Sequence, residues 1–231
     1  MKVFEGLMKN LIQIAGVIDK EEARMLMDAG VDYLGFPLRL PVNKEDLTEE
    51  EAVDVIKTIT PPHRAVLITY LNNAEEIINF CDKLNVEIVQ LHGKISKEEL
   101  EKTKSLRPDL EIIKSLVVAG NNYSELEKSV HALSKWVDAF ITDTFDPATG
   151  AEGATGKTHD WTISKKLVEI SPKPVISAGG LNHTNVKKAI LEIYPAGVDV
   201  HTGVEAPNGR KNCDLVKKFV EESKEGFALI N

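Results

Sequence analysis

Two segments, Pro174-Val175-Ile176-Ser177-Ala178-Gly179-Gly180-Leu181-Asn182 and Gly197-Val198-Asp199-Val200-His201-Thr202-Gly203-Val204-Glu205, stand on either side of an amphipathic run at 184–193. Each opens with a short apolar stretch and ends in a glycine-bearing turn, so the unit reads strand, turn, helix, strand, turn. Strands joined through a helix lie parallel, because only a long crossover returns the chain to the same end of a sheet. Working outward, the same alternation covers the whole chain. Strands are predicted at 11–15, 32–36, 65–70, 87–91, 111–117, 138–142, 174–177 and 197–201. Helices are predicted at 20–29, 48–59, 74–84, 97–106, 123–136, 161–170, 184–193 and 213–224. Eight strand–helix repeats with no Pro/Gly/Ser linker between halves fit one α/β domain, residues 1–231, closed as a (β/α)8 or TIM barrel. An open doubly wound sheet is the alternative.

Local signals support the helix boundaries. Thr48 before Glu51 and Ser96 before Glu99 have the spacing of capping boxes; Gly30 closes the first helix, and Pro61 with Pro62 the second. The 231 residues carry 28 Lys plus Arg against 36 Asp plus Glu, a net charge of −8, with no basic cluster to offset it. That balance repels a phosphate backbone, so no nucleic acid partner is expected. Neither a signal peptide nor a long apolar span is visible, so no membrane partner and a cytoplasmic location are expected. Cys81 and Cys213 are far apart in sequence and read as reduced thiols. No two histidines have metal-ligand spacing, and no serine elbow or catalytic cysteine occurs; no metal and no cofactor are expected.

Barrel enzymes work at the C-terminal ends of their strands, and alternation says which side chains face that mouth. In the first strand Ile12 and Ile14 suit the helix layer, turning Gln13 and Ala15 inward. In the sixth, Ala139, Ile141 and Asp143 share the inward face. Gly179, Gly180, Thr202 and Gly203 lie after strands seven and eight, a frequent phosphate corner, so a phosphorylated small molecule is the expected ligand. Gln90 and His92 end the fourth strand and His201 the eighth. A buried carboxyl such as Asp143 can act as a general acid, and a histidine can exchange protons near neutrality; either residue type also serves purely structural roles.

The segment Ala151-Glu152-Gly153-Ala154-Thr155-Gly156-Lys157-Thr158 approaches a nucleotide-binding P-loop with alanine for its first glycine. A P-loop joins a strand directly to a helix, whereas residues 143–150 intervene here and Asp160 caps a later helix. The barrel reading makes this segment a loop over the mouth, bringing Thr155, Gly156 and Lys157 near the phosphate.

Taken in order, Asp28 to Phe36, Val89-Gln90-Leu91-His92-Gly93, Thr142-Asp143-Thr144, Gly153 to Trp161, Ala178 to Asn182 and Gly197 to Glu205 resemble the phosphoribosylanthranilate isomerase family of tryptophan biosynthesis. The resemblance runs from about Gln13 to Val220. It implies an Amadori rearrangement of an aminoaldose phosphate to an aminoketose phosphate, with Asp143 as the acid that protonates the furanose ring oxygen. It also implies that Gly179, Gly180 and Gly203 hold the phosphate. The family's first strand usually reads Lys-Ile-Cys-Gly, its cysteine the base at the sugar C2, whereas this chain reads Gln13-Ile14-Ala15-Gly16. A methyl group accepts no proton, so if the reaction is retained a relocated base is expected at His201 or His92. After the second strand, where the family carries a basic segment for the anthranilate carboxylate, Arg39 or Lys44 is the available substitute. A non-catalytic sugar-phosphate binder or regulatory homologue is the competing function. Either way a monomer or a homodimer is expected.

Overall fold

The computed structural model describes residues 8–41, 47–144 and 158–230. Among them, eight parallel strands alternate with eight helices and close as β1-β2-β3-β4-β5-β6-β7-β8, the last strand pairing with the first. The strands are β1 (Leu11–Ala15), β2 (Tyr33–Pro37), β3 (Arg64–Thr69), β4 (Ile88–Leu91), β5 (Glu111–Val118), β6 (Ala139–Thr144), β7 (Val175–Ser177) and β8 (Gly197–Val200). The helices are α1 (Lys20–Ala29), α2 (Glu49–Ile56), α3 (Ala74–Leu84), α4 (Lys97–Leu106), α5 (Tyr123–Leu133), α6 (Trp161–Ile170), α7 (Val186–Ile193) and α8 (Cys213–Ile230). The fold is a (β/α)8 barrel, not an open doubly wound sheet.

Strand alternation divides the core in two. Outward side chains such as Ile12, Ile14, Leu34, Phe36, Leu67 and Phe140 pack under the helices, while Ala15, Val66, Ile88, Ile113, Ala139 and Ile141 fill the barrel interior. Closure sets Gln13 of β1 opposite Asp199 of β8, fixing both on the inward face.

Helix boundaries follow their capping chemistry; α5 stops at Leu133 and α7 starts at Val186, inside the expected 123–136 and 184–193, and three further differences, two in extent and one in capping, have a visible cause. At α2, Thr48 and Glu51 form the expected capping box, but the helix stops before the prolines. Its last turn tightens, Thr58 and Ile59 bonding back to Val55 and Ile56 three residues earlier, so the α-helical ladder ends at Ile56. At α4, Ser96 accepts from Glu99 N–H, yet the Glu99 carboxylate accepts from Ala74 N–H at 2.7 Å and so caps the neighbouring α3. The third difference is α8, which continues through Gly226 to Ile230. That glycine lies against Ile190 of α7, where a Cβ would stand 3.1 Å from Cδ1, so it serves close helix packing rather than termination.

No helix among the described residues is long and apolar enough to cross a membrane.

Candidate active site

Above Ala139 and Ile141, β6 presents Asp143 at the barrel mouth, almost wholly buried. Its Oδ1 accepts the Thr144 N–H at 2.7 Å, and its Oδ2 lies 3.6 Å from His92 Nε2. His92, at the end of β4, packs its ring on Tyr70 with 5.0 Å between centroids. Burial pushes the Asp143 carboxyl up to about 8; the Thr144 N–H opposes that shift and the nearby Asp199 adds to it. At neutral pH Asp143 therefore holds its proton and can give it away.

Asp199 projects inward from β8 beside it, and sequence reasoning did not single it out. Its Oδ1 is buried without a hydrogen-bond partner among the described residues. Burial raises this carboxyl to about 7, partly offset by the Gln13 amide and the Lys211 ammonium. Asp143 and Asp199 line one hollow together with residues 178–181 and 200–203.

His201 borders the same hollow. Its imidazole lies so close to the Gly16 backbone that any Cβ there would overlap Nε2, which places the ring beside the end of β1. Nε2 is 3.4 Å from Glu205 Oε1; that oxygen also accepts from Lys211 Nζ at 2.7 Å. Lys211 is buried, donates to the His201 carbonyl at 3.2 Å, and gives its own N–H to Glu22 Oε1 at 2.7 Å. Burial first, and then the Lys211 charge, push His201 down to about 3, so its ring is neutral.

The two glycine turns form the rim. Gly179 has φ 93° and presses on Thr144 Oγ1, a position closed to any larger residue. Thr144 Oγ1 is in turn 2.8 Å from His159 Nδ1, and His159 Nε2 is 2.6 Å from Ser164 Oγ. Burial holds His159 down to about 4, so a neutral ring bridges the ends of β6 and α6. This bridge too was missed in the sequence, where His159 sits inside a segment read as loop. In the eighth turn, a single 3-10 turn over Thr202–Val204, a Cβ on Gly203 would overlap the Leu181 carbonyl oxygen. The two turns thus touch backbone to backbone.

The structure brings Asp143, His92, His201, Gly179, Gly180, Thr202 and Gly203 to this mouth. Gln90 lies at the inner face of β4, accepting at 2.8 Å from Gln13 Nε2, and Ala15 belongs to the apolar cluster of the interior. Arg39 pairs with Glu49 of α2 at 2.8 Å and stacks over Phe80 of α3 at 3.7 Å. Thr155, Gly156, Lys157 and Lys44 lie outside the described residues. Among the described residues, no group of three or more His, Cys, Asp or Glu could hold a metal ion.

Two carboxyls with raised values make stability depend on pH. Between roughly pH 4 and pH 8, folded Asp143 and Asp199 retain protons that the unfolded chain releases, so stability falls as pH rises through that window. Asp199→Asn removes one such proton without changing the side chain's size. The variant is expected to match the wild-type melting temperature near pH 4 and exceed it at pH 9. Thermal unfolding at both values decides the matter; the same difference at each pH would exclude charge as the cause.

Comparison with known proteins points the same way as this geometry. Residues 12–222 match the N-(5'-phosphoribosyl)anthranilate (PRA) isomerase family. The N-(5'-phosphoribosyl)anthranilate isomerase 2 of Methanosarcina mazei is 35% identical over 94% of this chain and 95% of its own length. The phosphoribosyl anthranilate isomerase structure from Thermotoga maritima superimposes with a TM-score of 0.79 at 26% identity, covering 93% of this chain and 98% of that one. Another isomerase structure, solved with reduced 1-(o-carboxyphenylamino)-1-deoxyribulose 5-phosphate, shares the fold with a TM-score of 0.77 at 24% identity over 93% and 98%. With a family match across nearly the whole barrel and a relative 35% identical along almost its full length, the chain belongs to the PRA isomerase family.

Proposed function

We propose that this chain converts N-(5'-phosphoribosyl)anthranilate to its aminoketose, opening the sugar and moving the carbonyl from C1 to C2. The observation that carries the reading is the buried Asp143 carboxyl facing the same hollow as two glycine turns in contact, where burial raises its hold on a proton. Backbone amides of such turns suit a phosphate dianion, which would seat the ribose with its ring oxygen toward Asp143. Asp143 then gives its proton to the ring oxygen as the C1–O bond breaks. The electron pair of that bond leaves on oxygen, and the nitrogen lone pair forms C1=N. Thr144 N–H, bonded to Oδ1, stabilises the carboxylate left behind.

The test is conversion of the phosphoribosylanthranilate substrate by purified protein, together with growth of a tryptophan auxotroph lacking the isomerase. Turnover and growth are expected. Ala15 favours a second reading, because its methyl occupies the inward end of β1 and removes no proton. On that reading the chain is a binder of phosphorylated sugars. The reduced product analogue would then bind, while substrate stays unconverted and the auxotroph does not grow.

A further inference from the structure

The isomerase reading, on which this inference rests, requires a second group: once C1=N has formed, something in the hollow must take the proton from C2. Among the described residues the available groups are few. Gln13 and Gln90 are amides bonded to each other. His92 stands beside the acid itself, 3.6 Å from Asp143 Oδ2. His201 has Nε2 within 3.4 Å of Glu205 and its ring close against Gly16. Asp199 differs from all of these, since it lines the hollow with Asp143 and keeps a buried Oδ1 with no partner among the described residues.

We propose that Asp199 is the general base of the isomerisation, acting at the sugar C2 in place of the proton acceptor that Ala15 cannot supply. Proton affinities agree with the geometry. A carboxylate near 7 is a far better acceptor at neutral pH than an imidazole near 3, and a neighbour near 8 remains the donor. In the step, Asp199 takes the C2 proton and the C–H electron pair becomes the C1=C2 bond, returning the C=N electrons to nitrogen. The enol hydroxyl then yields its proton to the Asp143 carboxylate as Asp199 returns its own to C1. The product is the C2 ketone, and both carboxyls regain their starting states.

Asp199→Asn keeps the shape and removes the acceptor. Its kcat is expected to fall about 10² to 10⁴-fold, the usual worth of a positioned base. Binding of the reduced product analogue should be unchanged, which establishes that the pocket has folded. In the wild type the rate should rise with pH near 7 and decline near 8. The rise should vanish in Asp199→Asn while the decline persists. Undiminished kcat in Asp199→Asn, or loss of the rising limb in His201→Asn instead, would overturn the assignment. A wild-type chain that binds the analogue but converts no substrate would defeat the isomerase reading and this assignment together. An active wild type with an active Asp199→Asn would defeat this assignment alone.

Discussion

Asp143→Asn should reduce turnover of phosphoribosylanthranilate by at least about 10² to 10⁴-fold, the range typical of a lost general acid. The amide oxygen can still accept the Thr144 N–H, and the side chain keeps its volume above Ala139 and Ile141, so the barrel should fold unchanged. Only the transferable proton is gone. The ring oxygen then leaves as an alkoxide in a hollow that already contains the carboxyl of Asp199, a charge arrangement that low-dielectric surroundings penalise heavily. Single-turnover measurements check this directly. A pre-opened Schiff-base analogue, which bypasses ring opening, should recover part of the lost rate in the variant, the remainder reflecting the later transfer of the enol proton to Asp143. Unaltered kcat on the natural substrate would remove Asp143 from the reaction.

A smaller loss, in binding rather than in turnover, is expected from Gly203→Ala. The added methyl collides with the Leu181 carbonyl oxygen, so the turns after β7 and β8 must separate. Forcing one methyl group into a packed position usually costs about 1–3 kcal/mol, and backbone atoms cannot rotate away as a side-chain tip can. Since both turns border the hollow, separation changes the spacing of their amides around a phosphate. KM should rise about tenfold or more, tenfold corresponding to about 1.4 kcal/mol, with a smaller effect on kcat. Inorganic phosphate, expected on the proposed function to compete at that corner, should lose affinity in parallel. The companion variant Gly209→Ala, at a turn where a Cβ meets nothing within 4 Å, controls for backbone strain. If Gly203→Ala binds phosphate and substrate as the wild type does, the contact between turns has no part in holding the ligand.

How far the chain can be read without coordinates depends on whether the information is local. The bounds of β1, α1, α3, α4 and α6 coincide with those predicted, because the strand is a short apolar run and each of the four helices has a cap residue and an apolar period within its own few residues. Asp143 is legible for the same reason: alternation from Ala139 carries it to the inward face. Asp199 obeys the same rule, two residues after Gly197 on an inward face, but the glycine turn that follows draws the reading to residues 201–205. Its distinguishing property is depth, which depends on the partner strand across the closure. The helix-capping reach of Glu99 and the stacking of Arg39 on Phe80 likewise involve groups distant in sequence. His159 is harder still, for its worth lies in the two hydroxyls of Thr144 and Ser164 that close around it.

The pairing of β8 with β1 also governs when chemistry can begin during synthesis of the polypeptide. Asp199 sits on the final strand, and its neighbour Gln13 belongs to the opening one. A ribosome must therefore have released almost all of the barrel before a working pocket exists, and nascent fragments ending short of β8 should be inert toward substrate however well their earlier strands have paired.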